Sequence, residues 1–258
     1  MTAPASPTVT ALYRYAVKGL SAEALSSVTL EAGGIMPFDR AYAIENGPGR
    51  FDPGNPRHLP KITFLMLMRD ERLATLVTTF DDATETLTIT RAGKQVARGQ
   101  LSTPLGRKMV EQFFAAYMQS ELRGAPKVVS AAGHSFSDVA MKCIHIVNLA
   151  SVRDLERVEG RPVDPLRFRA NVYIDGLPPW AERSWLGREI TLGGVRCTVV
   201  DETSRCEATN VDPATGARDM AIPSLLQRTW GHTDFGVYAK IAAGGTLAIG
   251  DAVIVPSA

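Results

Sequence analysis

The sequence is poor in the features that mark specialised proteins. Three cysteines stand in 258 residues, an odd number with no Cys-x-x-Cys spacing. That argues against a disulfide framework and against an iron–sulfur cluster held by four thiolates of this chain. Neither sign of charge is in excess: 28 basic and 27 acidic side chains leave a formal net charge of +1. A dedicated nucleic-acid binder carries a basic surplus that is missing here. Long apolar runs are absent too. The most apolar short segment, Phe64-Leu65-Met66-Leu67-Met68, falls far short of the roughly 20 residues that span a bilayer. Met1 to Thr8 is small and polar, not basic and then apolar, so no leader pattern shows. Free thiols with neither leader nor span predict a soluble, cytoplasmic protein. Gly-x-Gly-x-x-Gly, a phosphate loop of the Walker type and His-x-x-x-His do not occur, so nucleotide folds and a zinc-hydrolase site have no support.

What is present is an ordinary globular composition, 45% hydrophobic and 21% charged. The length fits one large domain or two small ones at roughly 100–200 residues each. A chain of this size buries about 70–75% of its unfolded surface and needs no cross-link to hold it. Runs of β-branched, aromatic and aliphatic residues predict strands at 8–18, 41–45, 62–69, 73–80, 84–90 and 96–101. Further strands are predicted at 171–174, 189–192, 196–200, 236–241 and 252–255. Asp81-Asp82-Ala83 reads as a hairpin turn, and the pairs Gly193-Gly194 and Gly244-Gly245 as sources of positive φ in turns. Segment 46–60, with four prolines and three glycines, reads as a long surface loop.

Helices are fewer. Thr103 is an N-cap with Pro104 at the first helical position, and Leu105, Met109, Val110, Phe113, Phe114 and Tyr117 then recur at helical spacing. A second helix follows Asn148, with Val152, Leu155 and Val158 on one face, and a third spans 222–230, opened by Pro223. Many strands with few helices imply a barrel or sandwich.

Ser204-Arg205-Cys206 follows a predicted strand and precedes the turn Asp212-Pro213-Ala214-Thr215-Gly216. A thiol beside an arginine at a strand end is placed to ionise and to act as nucleophile or metal ligand. Against that stands the commoner fate of a lone cysteine, a small buried core residue. Cys143 and Cys197 lie in apolar alternations and read as core. Arg167 and Arg169 precede a strand at i and i+2; in extended chain they share a side and can clamp one anion, although surface ion pairing is the commoner outcome. Lys18 and Arg40 border strands of the first half, and each taken singly reads as a solvated charge. His232 and Asp234 form either a capped turn or an acid–base pair, the turn being favoured.

Together these segments resemble the MOSC family. The match is strongest from Arg167 to Asp251, through Arg167-Phe168-Arg169-Ala170-Asn171, Trp180-Ala181-Glu182, Trp185-Leu186-Gly187, Arg205-Cys206, Thr209-Asn210-Val211-Asp212-Pro213, Gly236-Val237-Tyr238 and Gly250-Asp251. Tyr15-Ala16-Val17-Lys18-Gly19 and Phe38-Asp39-Arg40-Ala41-Tyr42 look like the β-barrel domain that precedes MOSC in many members. The resemblance covers nearly the whole chain and is weakest from 69 to 135. The two-part arrangement is similar to the mitochondrial amidoxime-reducing component and its bacterial counterparts.

The resemblance implies a fold that is mainly β with a few helices: a smaller β-rich N-terminal domain over 1–120 and a β-barrel MOSC domain over 121–258. It implies the molybdenum cofactor, Mo-molybdopterin, with Cys206 as metal ligand and catalytic residue. Lys18, Arg40, Asn148, Arg169, Asn171, Ser204 and Arg205 are its implied cofactor contacts. Gly19 stands where relatives commonly carry serine, and Ala170 where they often carry proline. A soft thiolate suits a molybdenum that already carries sulfur ligands, and arginine forks suit a pterin phosphate. The implied activity is a molybdenum-dependent reduction of N-hydroxylated substrates such as amidoximes and N-hydroxylated base analogues. The sequence ends at Ala258, soon after Gly250-Asp251, without an iron–sulfur module. Electrons are therefore expected from an external ferredoxin, flavoprotein or haem protein, with a small molecule as substrate and neither nucleic acid nor membrane as partner. The alternative is a cofactor carrier or a sulfur-transfer protein with a persulfide on Cys206. Substrate specificity is expected in the loops 46–60 and 212–219.

Overall fold

The computed structural model describes residues 6–47 and 49–256. The start of the chain read for a leader therefore lies outside the described residues up to position 5. The first half runs β1 (Thr8–Arg14), β2 (Glu23–Leu25), β3 (Ser27–Leu30), β4 (Ala43–Glu45), β5 (Val77–Asp81), β6 (Thr86–Arg91), β7 (Lys94–Gln100), α1 (Pro104–Tyr117) and β8 (Lys127–Val129). The second half runs β9 (Ile144–Asn148), α2 (Leu149–Glu159), β10 (Val172–Asp175), β11 (Glu189–Leu192), β12 (Val195–Ser204), α3 (Ile222–Trp230), β13 (Asp234–Ala243), β14 (Gly245–Ala248) and β15 (Val253–Ile254).

The fold is mainly β. Its largest sheet has the order β15-β11-β12-β13-β9-β10-β1-β2. That sheet curls back on itself: Val9 N donates to Asp251 O at 2.9 Å, Gly250 N to Val9 O at 2.8 Å and Val253 N to Pro7 O at 2.9 Å. These bonds join the β15 edge to β1 and satisfy backbone groups that an open edge leaves bare. Inside lie Val9, Leu12, Val172, Ile174, Val195, Val199 and Val237, all at 1% exposure or less. Among the described residues only one strand pair of the sheet is parallel, β9 with β10, and α2 is the crossover between them. The β5-β6-β7 meander packs under α1 around a second core that includes Leu73, Leu87, Ile89, Leu101 and Phe114.

Hydrogen-bonded strands cross the expected boundary at 120/121. β1 pairs with β10, β3 with β14 and β4 with β8. The first strand of the chain is thus built into the sheet of the second half, which brings residues just after β1 beside residues just before β10.

Several local expectations change. The run at 62–69 is not a strand but a 3₁₀ turn, Lys61–Thr63, followed by extended chain with one bridge from Phe64 to Glu45. Asp70 explains why: its Oδ2 accepts from Met66 N at 2.9 Å while Asp70 N donates to Met66 O at 2.8 Å, closing the chain into a turn. The predicted strand at 73–80 starts only at Val77, because Glu71–Thr75 is a 3₁₀ turn. α1 begins as its sequence dictates, with Thr103 Oγ1 accepting from Gly106 N at 3.1 Å, a cap worth about 1 kcal/mol. Its apolar face is narrower than the spacing implied, however, since Leu105 is 73% exposed and Met109 49%. Gly193 has positive φ as expected, but Gly244 and Gly245 do not. That second pair is required by space: a Cβ would stand 2.5 Å from Leu30 O at Gly244 and 2.5 Å from Gly194 O at Gly245.

Candidate functional site

The ends of β1 and β12, the turn around Arg40 and the 3₁₀ turn before β10 converge on one cavity of about 420 Å³. It gathers Lys18, Arg40, Arg169 and Asn171 with Ser204, Arg205 and Cys206. Residues far apart in sequence meet there because β1 is hydrogen-bonded to β10.

β12 reaches the cavity through register shifts against β13 at Val199/Asp201 and Glu202/Ser204. Such shifts bend a strand and re-aim its side chains. Ser204 Oγ pairs with Thr233 Oγ1 at 3.0 Å, and Arg205 N donates to Thr233 O at 2.9 Å. Cys206 then heads the 3₁₀ turn Glu207–Asn210, its carbonyl accepting from Thr209 N at 3.1 Å and Thr209 Oγ1 at 2.9 Å. The Cys206 thiol is free and partly exposed on the cavity.

The two arginines around Phe168 part company. Arg167 lies inside the 3₁₀ turn Pro165–Phe168, and Arg169 caps that turn in the left-handed region at φ 51°. This break in the backbone removes the extended geometry in which i and i+2 share a side. Arg167 is buried and paired by Nη2 with Asp212 at 3.2 Å and Asp219 at 2.8 Å. It is ion-paired, as the commoner reading had it, but below the surface. Arg169 goes to the cavity alone, so the expected clamp by both arginines is not formed.

Lys18 Nζ donates to Phe136 O at 2.8 Å and to Asp138 Oδ1 at 2.5 Å. Burial lowers the Lys18 pKa, and Asp138 opposes the shift. Arg40, also left-handed at φ 52°, pairs with Asp39 at 2.5 Å and donates through Nη2 to Arg169 O at 3.0 Å. Burial works against its charge, and the Asp39 carboxylate more than offsets that, so its pKa is raised. Arg169 has no such carboxylate. Burial, with the like charge of Arg40 in addition, pushes it down to about 10, which still leaves it charged at neutral pH. Arg169 Nη2 and Arg205 Nε are buried without an acceptor among the described residues. A buried donor left unmet costs about 1–3 kcal/mol, more when charged. The cavity is therefore suited to an anion that brings acceptors with it, next to a free thiol.

Asn148 lies apart from the other expected contacts. It is fully buried outside the cavity, its Oδ1 capping α2 at Ala150 N (3.0 Å) and its Nδ2 donating to Pro178 O and Glu182 Oε2. In this fold it caps a helix and does not line the cavity. Asn171 does line the cavity, and it also fastens strands: Oδ1 accepts from His145 N at 3.1 Å and Nδ2 donates to Tyr13 O at 3.2 Å. Gly19 lies at φ +84°, and a Cβ there would stand 2.9 Å from Leu65 O, so this backbone has no room for serine. Ala170 N donates to Tyr173 Oη at 3.2 Å, a bond that proline cannot make.

Cys197 is fully buried core, but Cys143 is partly exposed and lines the cavity, contrary to its core reading. Burial pushes the Cys143 thiol up to about 12 and keeps it protonated. His145 has no surroundings in the sequence that single it out. It lines the cavity beside Tyr238, and burial, with the charge of Arg205 in addition, pushes its pKa well below the ordinary value. His232 is in a capped turn, with Nδ1 accepting from Asp234 N at 3.1 Å, and does not line the cavity. Among the described residues none of 46–60 or 212–219 lines it; Met66, Leu67 and Met68 and Ser135, Ser137 and Met141 do. Among the described residues no three His, Cys, Asp or Glu side chains form a metal-holding group, and no helix is long and apolar enough to cross a membrane.

Comparison with known proteins covers both halves of the chain. The model of the MOSC N-terminal beta barrel domain matches residues 6–138, and that of the MOSC domain matches 131–254. Mitochondrial amidoxime-reducing component 1 of Mus musculus is 32% identical over 120 residues, 42% of this chain and 35% of the relative. Molybdenum cofactor sulfurase of Caenorhabditis elegans is 35% identical over 102 residues, 37% of this chain and 14% of the relative. The match thus spans about a third of the first relative's length and a seventh of the second's. Among solved structures, the YuaD protein of Bacillus subtilis aligns over 96% of this chain and 94% of its own, at 13% identity and a TM-score of 0.43.

Proposed function

The chain belongs to the MOSC family, and from that premise we propose that it is a molybdenum-cofactor-dependent oxidoreductase that reduces N-hydroxylated substrates. Amidoximes and N-hydroxylated base analogues are the substrate class, an external ferredoxin, flavoprotein or haem protein is the electron donor, and the location is cytoplasmic. The observation that carries this reading is the pairing, in one cavity, of the free Cys206 thiol with two buried guanidinium N–H groups that have no acceptor among the described residues. A sulfur ligand beside anion-seeking donors suits a group with a sulfur-ligated metal at one end and a phosphate at the other.

Cys206 would ligate the metal, and the edges of Arg169 and Arg205 would take the phosphate or pterin oxygens. When bound, the cofactor supplies two-electron oxygen-atom chemistry that no protein side chain performs. Reducing an amidoxime to an amidine and water consumes two electrons and two protons. Lys18 Nζ has three protons and two acceptors among the described residues, so one N–H remains to orient an oxygen in the cavity. Asp39 and Asp138 hold Arg40 and Lys18 in place.

The test is the full chain purified from a host that makes the cofactor. Molybdenum and releasable pterin near one per chain, with reduction of benzamidoxime by an artificial electron donor, are the expected results. A folded chain without molybdenum and with sulfane sulfur on Cys206 would replace the reductase reading by sulfur transfer.

A further inference from the structure

Tyr15 follows β1 and is 1% exposed. Two guanidiniums lie over its ring, Arg169 at 4.3 Å and Arg40 at 4.6 Å from the centroid. The same few residues are laced together: Tyr15 N donates to Asp39 Oδ1 at 2.9 Å, Arg40 N to Tyr15 O at 2.6 Å, and Arg40 Nη2 to Arg169 O at 3.0 Å. Both arginines stand in the left-handed region, a conformation that surrounding contacts must enforce in residues other than glycine.

We infer that Tyr15 is a positioning residue of the cavity, one that seats Arg169 by its flat face and so leaves the edge of the guanidinium free for an anion. A carboxylate partner would hold Arg169 equally firmly. It would also use up N–H donors and cancel the charge, as Asp212 and Asp219 do for Arg167. An aromatic face attracts the cation without accepting a directed hydrogen bond. Its quadrupole also offsets part of the repulsion between the two neighbouring guanidiniums. Among the described residues Arg169 Nη2 has no acceptor, and Arg169, unlike Arg167, lines the cavity and has no carboxylate partner. The Tyr15 hydroxyl has no well-formed partner among the described residues, so the ring and not the OH performs the task.

The inference rests on the anion reading of the cavity proposed above and on no redox step, so the test uses no turnover. The full chain is made in a host that lacks the pterin cofactor, and pyrophosphate binding is measured by calorimetry. Wild type, Tyr15→Phe and Tyr15→Met are compared, each also in an Arg169→Met background, with circular dichroism to confirm folding. Tyr15→Phe should bind within about threefold of wild type, and Tyr15→Met at least about tenfold more weakly, the loss expected for a desolvated cation–π contact. In the Arg169→Met background, Phe and Met at position 15 should bind alike, because the ring acts through Arg169. Tyr15→Leu serves the same arm if Tyr15→Met does not fold. Wild-type affinity in Tyr15→Met, an equal loss in Tyr15→Phe, or the same Tyr15→Met loss in both backgrounds would overturn the inference. A wild-type chain that binds no pyrophosphate would remove the anion premise itself, which separates that failure from a failure of Tyr15 alone.

Discussion

Arg167 and Arg169 are the same residue two positions apart, and the fold treats them in opposite ways. Arg167 is neutralised by Asp212 and Asp219 and also donates to the carbonyls of Thr209 and Asn210. It ties the segment after Cys206 to the 3₁₀ turn before β10 and is a structural post. Arg169 rests on an aromatic ring with an N–H left over, on the cavity. The contrast separates charge used for stability from charge kept for a ligand. Arg167 too keeps one buried N–H, Nε, without an acceptor among the described residues, so the difference lies in whether the protein itself supplies the counter-charge.

The largest expected effect lies on the Arg167 side. Arg167→Ala strands two carboxylates and should lower stability by about 3 kcal/mol in urea unfolding, with cofactor loss only as a consequence. A loss under about 1 kcal/mol, the size of a surface pair, would remove Arg167 from its structural role. Arg169→Met should do the reverse. Pterin and molybdenum occupancy should fall about tenfold or more, while unfolding stability holds or rises, because an unpaired buried charge is gone. Unchanged occupancy would erase the contrast between the two arginines.

The two cavity cysteines sharpen the comparison from another direction. Cys206→Ser should abolish molybdenum retention in a folded chain, whereas Cys143→Ser should leave it within about twofold, since burial keeps that thiol protonated and a poor ligand. Equal losses would make both thiols part of the metal site. The smallest effect concerns Asp138. Burial favours its acid form, but the Lys18 charge prevails and holds it down to about 2. A carboxylate with a lowered folded pKa adds stability that is fully present above the ordinary value near 4 and is lost as pH falls toward 2. The side chain is 50% exposed, so solvent screening keeps the contribution modest. The stability difference between wild type and Asp138→Asn should be constant from about pH 5 to 7 and vanish on acidification toward about pH 2; a difference independent of pH would deny the Lys18 contact.

How much of this can be read in advance differs from residue to residue. Cys206, Lys18, Arg40, Arg169, Asn171, Ser204 and Arg205 are singled out together only by the family resemblance, and the fold brings them to one cavity. Strand content is legible from β-branched runs, as Glu189–Leu192 shows. The opposite fates of Arg167 and Arg169 are not, since they depend on one left-handed residue that alternation does not foresee. Asn148 enters only through the resemblance, and its burial against Glu182 as the cap of α2 is not legible in the sequence. Tyr15 looks like any core aromatic after a strand, and its role appears only when two distant arginines settle on it. Cys143 lies one residue before β9 begins, where the apolar alternation no longer faces the core but the cavity.

The most direct test of the central claim is the molybdenum and pterin content of purified wild-type chain beside its Arg169→Met and Arg167→Ala variants, all from a host that makes the cofactor. The account predicts near one of each per wild-type chain, a fall of about tenfold or more in Arg169→Met, and retention in whatever fraction of Arg167→Ala is folded. Wild-type chain that is folded and free of both, or an Arg169→Met variant as fully loaded as wild type, would contradict it.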